Sequence, residues 1–215
     1  MALGAIEQLA SHPRIHVRRP GPPDGRGRCV VYWMQRAQRG SDNPALNTAV
    51  LAANALGKPV VVFFAPVPFY PHANLRHFQF LQEGIADIAR DLQRRGIGFV
   101  LRLWPGHHLL KFCDQVRPAL LVGDENPLRE PEQWREKVAR ELRIPFWTVD
   151  ADVIVPSRLL GKEHYAARTI RPRLLAALPE FLKPPQNPRA QVAWKPSRES
   201  QSANVSDDNH CRLEN

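Results

Sequence analysis

The chain has 215 residues, 43% hydrophobic and 24% charged, with a formal net charge of +9. That composition predicts one ordinary globular domain with a real core and excludes a largely disordered chain. No apolar stretch approaches ~20 residues, so no membrane span is expected, and the start lacks the basic and apolar regions of a secretory signal. The cysteines Cys29, Cys113 and Cys211 have neither metal-ligand nor redox spacing. They point to a reducing compartment without a disulfide frame, so the cytoplasm is the expected location. The basic excess lies within residues 28–183. It favours a polyanionic partner, nucleic acid first, although a solvated arginine-rich surface reads the same way.

Residues 1–27 are dense in Pro and Gly after a short helical turn and are expected to form a flexible basic arm. His12 and His16 stand four apart, but Pro13 between them spoils a helical ligand pair. Cys29–Met34 is an unbroken apolar run, as expected of a strand covered on both faces. It leads into Gln35, Arg36, Gln38 and Arg39, then a turn, a cap at Asn43 and Pro44 at the first helical position. The first helix is predicted over 44–56 and is stopped by Gly57. A second apolar strand covers 59–65, followed by a proline-rich loop to Ala73. Between about Asn74 and Arg95, Phe78, Leu81, Ile85, Ile88 and Leu92 step by three and four, which predicts a strongly amphipathic helix.

A third strand covers 97–104, a short helix 107–116, a fourth strand 119–122, a helix 131–142 and a fifth strand 144–149. Strands alternating with helices predict a Rossmann-like, doubly wound parallel sheet of five strands in the order 3-2-1-4-5, with a short helical C-terminal extension. The domain is expected over 28–156, a connecting helical segment over 157–183 and a disordered polar tail over 184–215. In such a sheet the strand order reverses between the first and fourth strands. The crevice at their carboxyl ends, bounded by Met34–Arg39 and Gly123–Arg129, is the expected ligand site.

The common nucleotide signatures are missing: there is no Gly-x-Gly-x-x-Gly after the first strand and no phosphate-binding Gly-Lys-Ser/Thr loop. Asp124 and Glu125 can be a general base, a ribose ligand or a loop-stabilising pair. The adjacent His107 and His108 read as an exposed loop pair rather than a shared metal site. Trp33, Trp134 and Trp147 read as core packing. Arg158, Lys162, Arg168, Arg171 and Arg173 are the candidates for nucleic-acid contact.

Several blocks occur together in a recognisable order: Tyr32–Arg39 with Asp42-Asn43, Arg76–Phe80, Gly123–Arg129 with Trp134, Val149–Pro156 and Tyr165–Pro172. As a set, over about residues 28–182, they resemble the N-terminal α/β domain of class II cyclobutane pyrimidine dimer DNA photolyases. The resemblance implies light-driven DNA repair by a flavoprotein whose α/β domain holds an antenna chromophore, in some members an 8-hydroxy-deazaflavin. It also implies an antenna pocket in the sheet crevice, with Met34, Arg36, Arg39, Asn43 and Phe64 on one side and Asp124, Asn126 and Arg129 on the other. The FAD-binding helical domain of the family has no counterpart after Leu182, so a truncated product, not competent for repair alone, is expected. DNA or a separately encoded FAD-binding half is the implied partner. Self-association through the uncovered face near Tyr165, Ile170, Leu174, Leu175 and Phe181 is expected. The alternative is a non-catalytic basic module, binding DNA or protein, on the same domain.

Overall fold

The computed structural model describes residues 2–70 and 72–196. Its elements are α1 (Ala2–Ala10), β1 (Ile15–Arg19), β2 (Cys29–Met34), α2 (Pro44–Leu56), β3 (Val60–Phe64), α3 (Leu75–Arg94), β4 (Gly98–Leu101), α4 (Leu109–Val116), β5 (Pro118–Asp124), α5 (Arg129–Glu141), β6 (Phe146–Val149), a 3-10 turn (Ser157–Leu160) and α6 (Ala167–Phe181). They form a six-stranded sheet in the order β1-β6-β5-β2-β3-β4. β2 to β6 pair in parallel in the expected order, and β1 is added antiparallel to β6 at the edge.

The continuous apolar strands are covered on both faces. Val30, Tyr32, Val60, Val62, Leu120 and Val122 face α1, α2 and α3, together with Ile6, Leu46, Val50 and Leu92. Cys29, Val31, Val61, Phe63, Leu121 and Phe146 face α4 and α5. Phe63 stacks on Phe112 with centroids 4.6 Å apart. Burial pushes the Cys29 thiol up to about 12, with the Lys58 charge pulling the other way. Burial also pushes the Cys113 thiol up. Both thiols are free and buried.

Two expectations at the ends of the chain are corrected. Residues 1–27 are not a flexible arm, because they contain α1 and an edge strand. Ile6 enters the core, Ile15 pairs with Val149, and Val17 with Trp147. The Arg14 guanidinium donates to the carbonyls of Asp150 (3.1 Å), Val153 (2.6 Å) and Ile154. A five-residue edge strand between proline-rich stretches carries too little local pattern to announce itself; its pairing partner supplies the order.

The segment from Pro184 to Pro196 is likewise placed against the domain rather than disordered; residues 197–215 lie outside the described residues. A proline-rich chain cannot bond its own carbonyls in a helix or ladder, and here side chains of the domain do so. Arg95 reaches the Pro188 carbonyl with Nη2 at 2.8 Å, and Asn54 reaches that of Arg189 at 2.9 Å. The Ala190 amide donates to the Arg95 carbonyl, and the Trp194 ring lies over Gly98, where a Cβ would fall 2.4 Å from the indole Cδ1. No helix among the described residues is long and apolar enough to cross a membrane.

The last helix is open to solvent on much of its surface: Leu175 is 58% and Leu182 62% exposed, and Tyr165 just before it is 93% exposed. Ile170, Leu174 and Phe181 are half-buried.

Two glycines separate tight packing from free space. A Cβ on Gly27 would lie 2.4 Å from the backbone Cα and N of Ala119, which cannot yield as a side chain would. Gly84, inside α3, has nothing within 4 Å. Gly27→Ala is expected to cost about 2–3 kcal/mol, and Gly84→Ala to add about 0.5–1 kcal/mol by restoring helix propensity. Urea unfolding of the two variants checks this; equal midpoints would contradict the packing described.

Candidate functional site

The carboxyl edge of the sheet is organised by Asp124, at the end of β5 and 1% exposed. Its Oδ1 accepts the Tyr32 hydroxyl at 2.7 Å. Its Oδ2 accepts three successive backbone amides, Gln35 (2.9 Å), Arg36 (2.7 Å) and Ala37 (3.0 Å). Successive amides converging on one oxygen form an anion-binding nest, here filled by the protein's own carboxylate. Asn43 completes the arrangement. Its Nδ2 donates to the Tyr32 hydroxyl and to the carbonyls of Ala37 and Arg39, and its Oδ1 caps α2 at the Leu46 amide, 3.0 Å away. Burial pushes the Asp124 carboxyl up, and the Tyr32 hydroxyl and the three amides oppose that shift. Burial and the neighbouring Asp124 charge push the Tyr32 phenol well up.

Of the three roles left open for Asp124, this geometry is that of the loop-stabilising group: every donor around it belongs to the fold, and it does not face the crevice. Glu125 is engaged as well. It accepts from Arg18 and from the Thr148 hydroxyl. Arg18 also bridges to Glu132 at 2.5 Å and donates from Nε to Thr148 Oγ1 at 3.0 Å. Arg135, with a fully buried side chain, pairs with Glu132 and donates to the Asn126 carbonyl. Burial would raise the Glu132 carboxyl, but hydrogen bonds and charge from Arg18 and Arg135 hold it below its ordinary value.

Beside this hub lies a crevice of about 750 Å³, within the range of small-molecule sites. It opens over the carboxyl ends of β2 and β3, between the loop after β3 and the starts of α3, α4 and α5. Aromatic rings supply much of its wall: Trp33, Phe64, Phe69, Tyr70, Phe78 and Trp134. Trp33 pairs in register with Gly123 on β5, and the Phe146 ring lies over that glycine and meets the indole at 6.4 Å, backing it from the core side. Tyr70 meets Trp134 edge-on at 6.1 Å, and Phe69 meets Trp104 edge-on at 5.1 Å.

The sequence-based site residues divide. Met34, Arg36, Phe64 and Asn126 line the crevice. Asp124 and Asn43 sit behind it in the hub, and neither Arg39 nor Arg129 is in the wall. The Arg39 Nε donates to the Asp42 carbonyl at 2.7 Å, and Arg129 is exposed at the start of α5. The crevice is centred nearer β3 than the strand-order argument placed it, because Asp124 fills the β2–β5 gap with hydrogen bonds. Trp33 and Trp134, read from sequence as core, are the largest residues missed. Their signal was position: Trp33 ends a buried strand at the carboxyl edge, and Trp134 lies in the second turn of a helix that starts at that edge.

The five basic candidates do not form one free cationic face. Arg158 Nη1 donates to the Ile15 carbonyl at 2.9 Å and Arg173 Nη1 to the Leu160 carbonyl at 3.3 Å. Lys162, Arg168 and Arg171 are exposed. On α6, positions 168 and 171 share a side, whereas position 173 is turned about 140° from 168 by helical geometry.

A sequence profile described as DNA photolyase matches residues 30–190. The chain is 40% identical over 164 residues to the deoxyribodipyrimidine photo-lyase of Methanothermobacter thermautotrophicus, covering 75% of this chain and 36% of that protein. It is 35% identical over 163 residues to the deoxyribodipyrimidine photo-lyase of Potorous tridactylus, covering 71% of this chain and 29% of that protein. The chain thus spans about a third of the length of these relatives. Among solved structures it is similar to a bacterial class III photolyase from Agrobacterium tumefaciens, with a TM-score of 0.60 and 20% identity, covering 85% of this chain and 38% of that one. At that identity the likeness is one of fold.

Asp124→Asn replaces an acceptor oxygen with an amide that cannot satisfy both Tyr32 and the nest, and is expected to cost about 2–4 kcal/mol. Tyr32→Phe, which removes one donor, is expected to cost about 1–1.5 kcal/mol. Denaturant unfolding gives both values; an Asp124→Asn protein as stable as the parent would contradict the hub. The Glu132 carboxyl is depressed in the folded state. Its contribution is therefore present above the unfolded carboxylate value of about 4.3 and lost as pH falls through the lower folded value. The stability gap between the parent and Glu132→Gln should be open at pH 6–7 and close on acidification below pH 4. A gap that widens in acid would reverse the sign.

Proposed function

The chain belongs to the DNA photolyase family, and on that premise we propose that it is the antenna-type α/β domain of a class II deoxyribodipyrimidine photo-lyase, holding a light-absorbing ring at the carboxyl edge of its sheet. The observation that carries this reading is the crevice of about 750 Å³ walled by Trp33, Phe64, Trp134 and neighbouring rings. Flat aromatic surfaces suit a flat conjugated ligand, because offset stacking adds to the area removed from water. The class II reading is supported by the ordered blocks Tyr32–Arg39, Arg76–Phe80, Gly123–Arg129 and Tyr165–Pro172. An 8-hydroxy-deazaflavin is the proposed chromophore: a planar tricycle matches the aromatic wall, and its side chain can reach polar groups at the rim.

The chain's own residues bind and orient. Trp33 and Trp134 hold the ring, Met34, Phe64 and Leu81 keep water from it, and Asn126 offers a polar edge. The Asp124 hub sets the backbone from Gln35 to Ala37, and so the position of the wall. When bound, the chromophore supplies light absorption and passes excitation to a flavin. Repair of DNA, with FAD as the photochemical cofactor and DNA as the partner, is proposed for the whole protein rather than for the matched third. The apolar side chains left open on α6 suit packing against a further folded body, whether a catalytic half or a second copy. The cytoplasm is the proposed compartment, in keeping with the free buried thiols of Cys29 and Cys113.

The test is uptake of 8-hydroxy-5-deazaflavin by the purified 215-residue chain, followed by visible absorbance across a gel-filtration peak. Co-migration of about one chromophore per chain is expected, with Trp33→Ala and Trp134→Ala each weakening binding by about tenfold or more. Protein that stays colourless in excess chromophore would overturn the reading.

A further inference from the structure

Among the described residues, the wall of the crevice contains aromatic, aliphatic, amide and cationic side chains but no carboxylate. Its basic members are Arg36, Lys137, His72, His77, His107 and His108. The acids close behind it are already neutralised. Asp124 is held in its nest, Glu125 and Glu132 by Arg18 and Arg135, and Asp152 by Arg36.

These basic groups are not equivalent. Arg36, one of the arginines expected at the pocket, spends its guanidinium on Asp152 and on Asn126 Oδ1 at 3.2 Å. His77 accepts the Asn74 amide in the capping box of α3. On the α4–α5 side, His107, His108 and Lys137 form a separate corner. The rings of His107 and His108 are 4.2 Å apart, and His107 lies 4.6 Å from Trp104. His107, Lys111 and Lys137 are the charges that act on His108, and all of them are basic. Lys137 has one acidic neighbour, Glu141, at 4.0 Å on an exposed surface, a pair worth little.

We infer that the ligand of this crevice carries a negatively charged chain that ends at the His107–His108–Lys137 corner, while its ring lies against Trp33, Phe64 and Trp134. The inference rests on the chromophore-pocket reading and deepens it by naming the charge of the ligand and where that charge sits. An anion at this corner meets several donors, its one recorded acidic neighbour being Glu141, weakly paired with Lys137 on an exposed surface, and charge-assisted hydrogen bonds there are stronger than neutral ones. The arginines that flank the β2–α2 turn are not needed for it.

Two probes share one ring and differ in one anionic group: riboflavin, and flavin mononucleotide with its phosphate. Quenching of tryptophan fluorescence gives the affinity of each for the 215-residue chain. Flavin mononucleotide is expected to bind on the order of tenfold more tightly at low salt. Half-molar salt should erase most of that advantage and leave riboflavin almost unchanged. Inorganic phosphate should compete with flavin mononucleotide and not with riboflavin, separating a chain-specific contact from general loss of the pocket. Lys137→Met and His108→Gln should each lower the ratio of the two affinities; a ratio is read, so a loss common to both probes does not count. Equal affinity for the two flavins, or a ratio indifferent to salt and to both substitutions, overturns the anionic corner and leaves the chromophore pocket standing. Failure of both flavins and of the deazaflavin to bind overturns the pocket, and the corner with it.

Discussion

One buried carboxylate holds the carboxyl edge of the sheet together. Asp124 ends β5, and the polar turn after β2 folds around it by presenting three amides in a row. Without an acceptor those amides would be buried and unsatisfied, which costs more than the hydrogen bonds themselves contribute. Tyr32 and Asn43 extend the same arrangement to the body of β2 and to the first turn of α2. A single side chain therefore sets where β2 stops, how the chain leaves it and where the next helix begins. The crevice wall from Trp33 to Arg36 is a consequence of that geometry.

A second polar layer supports the other side. Arg18 on the edge strand reaches Glu125 after β5 and Glu132 on α5, and Arg135 reaches Glu132 and the Asn126 carbonyl. Arg18 is shared between Glu125 and Glu132, and Glu132 between Arg18 and the fully buried Arg135, so removing one partner would strand the rest. The network fixes α5 against the sheet and so orients Trp134 and Lys137. Among the described residues no carboxylate lines the crevice, and Asp124, Glu125, Glu132 and Asp152 close behind it are used in holding the structure.

The family assignment and the crevice meet at this point. On the proposed reading, the crevice calls for a slot that fixes the orientation of a ring rather than for a catalytic side chain, and orientation is what a preorganised wall of packed aromatics provides. The hub and the charge network explain how a slot at the ends of strands, built largely from loops and helix starts, is kept in shape.

Much of this was legible in the residues. Runs such as Cys29–Met34 and Val60–Phe64 and the three-four stripe of α3 encode strand and helix locally, and alternation of the two leaves few topologies. The five parallel strands, their order and the crevice at their carboxyl edge followed from that pattern. Asp124, Asn43 and Asn126 stood out as polar groups at that edge, but not which of them would turn inward. That choice depended on the Tyr32 hydroxyl and the 35–37 amides, some 90 residues from Asp124 in sequence.

The antiparallel strand β1 and the 184–196 strap were settled in the same way. Arg18 finds Glu132 across 114 positions and Arg95 finds the Pro188 carbonyl across 93. Pairings at such separations leave no periodicity in the chain. The sequence by itself determined the five parallel strands and the family, because local burial patterns and short motifs encode them. The tertiary structure alone decided which polar groups build the fold and which face the ligand, because a polar side chain's role is set by the partners that folding brings to it.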